Sequence, residues 1–323
     1  MRPHRWAVLV GITALAALLG VVLGTLRLAP ADVWSALLGR GDPSTVAVVR
    51  SLRLPRVALA LLVGSGLGMS GAALQGTMRN PLAEPYLLGV SGGAAVGAVL
   101  AYAADLPFGM VPLAAFAGAL LAISLALLVA QAGVVRGDPR VLLMAGVVVG
   151  AFANAVIMVA LAGDAPNTTR NALWWMMGSA AGAAWRDVAW LAACVALGGT
   201  LLLALARQVD VLALGLETAA GLGVRPERAA RRVFIAASLV AAATVAAAGL
   251  VGFVGLVVPH VARALGARRH RAILLASALA GAALVTVADV AARILRPPAE
   301  LPLGAVTAIV GVPFFLAQLR RLA

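Results

Sequence analysis

The segment Trp6–Leu26, WAVLVGITALAALLGVVLGTL, runs 21 residues without a charge. At a rise of about 1.5 Å per residue, such a run matches the roughly 30 Å hydrocarbon core of a bilayer. Nine comparable runs follow, near 55–77, 87–104, 111–131, 141–162, 188–206, 232–250, 253–265, 272–293 and 303–319. Of the ten the eighth, 253–265, is short, and residues 171–187 suggest a partial helix besides. Unpaired backbone amides are costly in hydrocarbon, so these runs fold as helices. The expected fold class is an all-α polytopic membrane protein of about ten transmembrane helices, forming one domain over residues 1–323. Composition agrees: 63% of the 323 residues are hydrophobic and 11% charged, where soluble domains carry about 25% charge. The first run follows Arg2 and Arg5, is too long for a signal-peptide core and lacks a small-x-small cleavage site. An uncleaved first span is expected.

The net charge of +13 comes from 25 arginines and no lysine, a bias that a GC-rich genome explains. Its absence excludes a phosphate-cradling GxxxxGK[ST] loop, so nucleotide hydrolysis of that kind belongs to another chain. With both termini in the cytoplasm, the inner segments hold 16 arginines and five acids, and the remainder of the chain holds a balance of +2. The basic excess is then a topology signal. No soluble basic domain exists to bind nucleic acid. Cys194 is the sole cysteine, and His4, His260 and His270 form no metal-binding spacing. Neither a metal site nor a catalytic constellation is expected.

Two hydrophilic segments exceed what a turn requires: an external one, 27–56, and a cytoplasmic one, 207–232. The external segment carries Arg27, Arg40, Arg50, Arg53 and Arg56 against Asp32 and Asp42, a local breach of the topology rule that suggests a docking surface. Within the cytoplasmic segment, ALGLETAAGLGVRPERAARR (213–232) reads as a short helix, a glycine turn, and a second short basic helix from Pro226. It either folds back on its own spans or forms a knob for a cleft on a soluble partner. MRNPLAEPYLLGVSGG (78–93) reads as a tight turn or as a constriction at the inner mouth of a pathway, with Asn80 and Glu84 at the membrane edge. The GxGxxG at Gly66, Gly68 and Gly71 lies inside a span and reads as close helix packing. Asp289 and Arg293, four apart, read as a self-neutralising pair. In GLVGFVGLVVPHVAR (249–263), Pro259 suggests a kink, and His260 has a structural or interfacial role.

These pieces resemble the FecCD family of ABC-importer permeases, the type II importers of vitamin B12, haem and ferric siderophores. The resemblance rests on LRLPR (52–56), NPLAEPYLLGVSGG (80–93), WWMMGS (174–179), LGLETAAGLGV (214–224), GFVGLVVPHVAR (252–263) and AELPLGAVTAIVGVPFF (299–315). It implies a homodimer around one pathway, two cytoplasmic ATPase subunits that bind ATP and magnesium, and an external, periplasmic binding protein. The setting it implies is the bacterial inner membrane, and this chain itself binds no cofactor. Arg53 and Arg56, with Arg296 as a third, match the arginines that dock the binding protein. Asn80 and Leu82 match the cytoplasmic gate. Glu217, Ala220, Leu222, Gly223, Val224 and Arg228 fall on the segment that couples to the ATPase. Arg170, Trp174 and Trp175 depart from the expected pattern at the outer end of a pathway helix. They point to haem, with a ferric siderophore or vitamin B12 as the alternative. An ion-coupled secondary transporter needs more buried carboxylates than Asp289 alone, and a membrane enzyme needs a nucleophile that is missing.

Overall fold

The computed structural model describes residues 1–132, 139–163 and 165–319, and these contain helices and no strand. Seven helices are long and apolar enough to cross a membrane: α1 (Pro3–Val22), α4 (Leu54–Met78), α6 (Val111–Ala132), α7 (Pro139–Ala162), α9 (Trp185–Leu212), α11 (Pro226–Ala248) and α13 (His270–Ile294). Three shorter apolar helices, α5 (Val90–Ala103), α12 (Val254–Ala264) and α14 (Leu303–Leu319), complete the ten predicted spans. Four more are short connectors: α2 (Pro30–Leu37), α3 (Pro43–Ala47), α8 (Pro166–Met176) and α10 (Leu216–Gly221). Proline opens α1, α2, α3, α8 and α11, where its missing N–H costs nothing and its fixed φ favours the first turn. Of the charges counted on the inner side, Arg136, Asp138, Arg320 and Arg321 lie outside the described residues.

The core is built around α4. Nineteen of its 25 residues are buried, because α9, α11, α12 and α13 surround it. Glycine permits that crowding. A methyl group at Gly64 would strike the Gly281 carbonyl of α13, and one at Gly71 the Gly255 carbonyl of α12. Such backbone contact replaces the hydrophobic drive that lipid does not supply. A second layer, α5, α6 and α7, packs against this core through α11. Large apolar side chains remain exposed along α1, α6, α7, α9 and α14, among them Leu15, Leu121, Phe152, Leu197 and Ile309, as lipid contact or a partner subunit requires.

Several helices stop inside the protein. α11 ends at Gly249, and Phe253, in the left-handed region at φ 67°, starts α12. The backbone groups freed there are paired: Ser179 N–H donates to the Ala248 carbonyl, and Leu303 N–H and Gly304 N–H donate to the carbonyls of Gly178 and Met177. Irregular backbone at membrane depth persists only where protein pairs it in this way. The end carrying residues 23–53 is here the upper end, the opposite one the lower end.

Candidate functional site

At the upper end, two of the three expected docking arginines are turned into the fold. Arg53 is 5% exposed. Its guanidinium donates to the carbonyls of Val21 (2.9 Å), Val22 (2.7 Å) and Leu26, at and just beyond the end of α1. The last carbonyls of a helix have no intrahelical donor and carry negative charge, so a buried guanidinium settles on them. Arg56 is turned inward as well. It lies 2.9 Å from the Asp289 carboxylate and 2.8 Å from that of Glu300. Of the three expected residues, only Arg296 is exposed, together with Arg27, Arg40 and Arg50. Among them stand the exposed apolar side chains of Trp34, Leu52 and Trp185.

The Asp289–Arg293 pair exists, but it is not self-contained. Asp289 is 1% exposed and serves both Arg56 and Arg293. Arg293 Nη2 stands 3.0 Å from Asp289 Oδ2 yet finds no hydrogen-bond partner, so the attraction there is Coulombic. Arg293 Nη1 instead donates to the Gly20 and Leu23 carbonyls, 3.1 Å each. Sequence spacing pointed to the i,i+4 neighbour and missed Arg56, which lies 233 positions earlier.

Below this network, a cavity of about 900 Å³ opens between the start of α4, the 108–113 turn, α8, residues 179–190 and the end of α11. Asn171, Trp174, Trp175, Arg186 and Asp187 line it. Arg170, expected beside the tryptophan pair, is not on this wall. It shares a separate recess with Trp174, because successive helical residues are about 100° apart.

At the lower end, Arg79 caps α4 in the left-handed region at φ 49°. The turn after it is closed by Leu82 N–H donating to Asn80 Oδ1 (2.9 Å) and Ala83 N–H to the Asn80 carbonyl (3.1 Å). Leu82 is 42% exposed. Glu84 accepts from Phe253 N–H (2.7 Å), and the Tyr86 hydroxyl from Val251 N–H (2.7 Å). Burial pushes the Glu84 carboxyl up, and the Phe253 N–H partly offsets it. Gln75, buried in α4, passed unremarked in the sequence. Its Nε2 donates to the Gly255 and Leu256 carbonyls (3.1 Å each), and its Oε1 accepts from Arg263 (2.9 Å). A polar side chain deep in an apolar span, opposite a helix that contains proline, was the available signal. His260 Nε2 stands 3.3 Å from the Pro81 carbonyl.

The 207–232 segment is the end of α9, then α10, then a turn. α10 ends in that turn, where Leu222 N–H donates to the Thr218 carbonyl, Val224 N–H donates to the Ala219 carbonyl, and Gly223 sits at φ 79°. Glu217, Ala220, Leu222, Gly223 and Arg228 are exposed and Val224 half-buried. The expected second short helix is corrected. From Pro226 one helix, α11, continues to Ala248, since nothing in PERAARRVFIAAS breaks it. Leu212, Ala219, Ala229 and Ala230 pack beneath the turn, so the knob has its own small core.

The FecCD transport family model matches residues 12–321. The cobalamin import system permease protein of Halobacterium salinarum is 43% identical over 89% of this chain and 77% of its own. The Fe(3+) dicitrate transport permease FecD of Escherichia coli is 38% identical over 95% of this chain and 96% of its own. A solved metal-chelate type ABC transporter in an inward-facing conformation superposes with a TM-score of 0.89, at 27% identity, covering 99% of this chain and all of that one. The chain is thus a multi-pass membrane permease, a transport component rather than an enzyme. With its motifs and its helices agreeing from end to end, it belongs to the FecCD transport family.

Proposed function

We propose that this chain is the membrane-spanning subunit of an ATP-driven importer that passes a large metal chelate from an external binding protein to the cytoplasm. Two copies line one pathway, and two cytoplasmic ATPase subunits supply the energy, holding the ATP and magnesium that this chain does not. The exposed apolar face of α7, with Val148, Phe152 and Val159, supports a second copy beside it. Arg207, Arg225, Arg228, Arg231, Arg232, Arg268, Arg269 and Arg271 cluster at the lower end. That cluster supports a cytoplasmic lower end, with both termini there, in the bacterial inner membrane.

The observation that carries the reading is the knob over 213–225. Leu222 is 61% exposed at its tip, on a turn with its own packed base. An apolar tip on a rigid base is what a cleft on a soluble ATPase needs. A cleft that closes on ATP gives the differential contact that drives a two-state permease. Asn80 and Leu82 form the cytoplasmic gate. Docking falls to Arg40, Arg50 and Arg296, which steer an acidic binding protein, with Arg53 and Arg56 holding the frame behind them. The haem reading leaned on Arg170 beside both tryptophans. Arg170 shares a recess with Trp174 alone, apart from the cavity that both tryptophans line, and the proposal rests at the class of metal chelate.

Co-expression with candidate ATPases tests this. An ATPase should co-purify, and vesicle uptake of the binding protein's ligand should require ATP. Replacing Gly223 and Val224 with Glu should abolish uptake while the protein still elutes as a folded species. Uptake without ATP, or unchanged uptake in the double variant, refutes the reading.

A further inference from the structure

Pro259 has no N–H, so the Gly255 carbonyl one turn earlier in α12 loses its helical donor. Gln75 of α4 fills that vacancy through Nε2 (3.1 Å), while its Oε1 takes a hydrogen bond from Arg263 at the far end of the same helix. One buried amide therefore spans α12 from its first turn to its last. The turn that continues α4 is fastened to the same helix at two more points. Glu84 accepts from Phe253 N–H, the residue that caps α12, and His260 Nε2 donates to the Pro81 carbonyl. Pro85 closes over Gly255, where even a methyl group would collide.

On its other side, the turn meets the coupling segment. Gly215, which caps α10 at φ 121°, lies beside the Arg79 guanidinium: a methyl group there would stand 3.6 Å from Arg79 Nη1. We propose that Gln75, Glu84, His260 and Arg263 are positioning residues that fasten the 79–84 turn to α12 as one rigid body. Arg79 against Gly215 is the point at which movement of the coupling segment reaches that body. This rests on the gate and coupling roles given above and adds the part that moves between them. Glu84 and His260 fasten the turn itself, and the Gln75 amide with Arg263 fastens the end of α4 just before it, so the turn has no hinge relative to α12. The joint between that body and α10 is Arg79 beside Gly215.

Spin-label distances in the purified permease–ATPase complex, with Cys194 replaced by Ser, test this without a transported ligand. Labels at Leu82 and Ala264 within one protomer should keep one narrow distance whether or not an ATP analogue is bound. The distance between the Leu82 positions of the two copies should shift on ATP. His260→Leu should broaden the Leu82–Ala264 distribution. His260→Gln, whose amide can donate to the same carbonyl, should restore it, provided that both variants elute and melt as the parent does. Arg79→Ala should keep the narrow Leu82–Ala264 distance and lose the ATP-dependent shift between copies. A Leu82–Ala264 distance that changes as much as the inter-copy one overturns the rigid body. A shift that survives Arg79→Ala overturns the joint. Failure of any ATPase to co-purify would instead strike the importer reading.

Discussion

Replacing Asp289 with Asn tests the upper charge network most directly. The side chain keeps its shape but leaves two inward-turned guanidiniums, Arg56 and Arg293, of which Arg56 alone still pairs with a carboxylate, that of Glu300. Removing one partner of a buried ion pair costs about 3–5 kcal/mol, since it strands a desolvated charge. Here the loss is moderated. Arg56 retains Glu300 at 2.8 Å, and Arg293 retains the Gly20 and Leu23 carbonyls at 3.1 Å. The expected cost is therefore near the low end, about 3 kcal/mol, or on the order of a hundredfold in the unfolding constant. Glu300→Gln is the internal control. The Glu300 side chain is 32% exposed, and a pair with that much water is worth about 0–1 kcal/mol. Equilibrium unfolding in mixed micelles with rising SDS, followed by tryptophan fluorescence, reads both. Arg56→Gln added to Asp289→Asn should recover part of the loss, because it removes one stranded charge. Equal stability of Asp289→Asn and the parent, or an equal cost for Glu300→Gln, would refute the view that burial rather than charge count sets the energy.

Two further outcomes are expected. Reversing Arg40 and Arg50 to Glu should weaken association with the binding protein, more so at low salt. Arg53→Ala should leave that salt dependence in place but lower stability by about 1–3 kcal/mol, the cost of orphaned buried carbonyls; surface plasmon resonance across a salt series, beside melting curves, separates the two. Gly64→Leu should prevent α4 from seating on α13, seen as loss of folded protein on size exclusion, whereas the same change at Gly11, with nothing within 4 Å, should be silent.

Hydropathy reads residues one at a time, and the ten spans, including the short eighth, were legible that way. So was the close packing of Gly66, Gly68 and Gly71, because small residues inside a span let helix backbones approach. The partners of charged groups were not legible. Arg53 looked external because its segment lies between two spans. Its fate depended on the end of α1, some thirty residues earlier, where unpaired carbonyls outbid water for a guanidinium. Counting arginines by side of the membrane cannot separate a cation that steers a partner from one that closes a helix.

Pro259 shows where such reading could have gone further. A proline inside an apolar helix was read as a kink, a statement about shape. It is equally a statement about accounting: the carbonyl four residues earlier needs another donor, and in hydrocarbon that donor is protein. Among the spans, Gln75 is a polar side chain with two amide hydrogens to give, and the demand of one helix and the supply of another pointed to the same contact. His260, next to that proline, then reaches the carbonyl of Pro81 rather than a metal or a nucleophile. The imidazole that looked like chemistry in an apolar run acts as a fastening on the turn that holds Asn80 and Leu82.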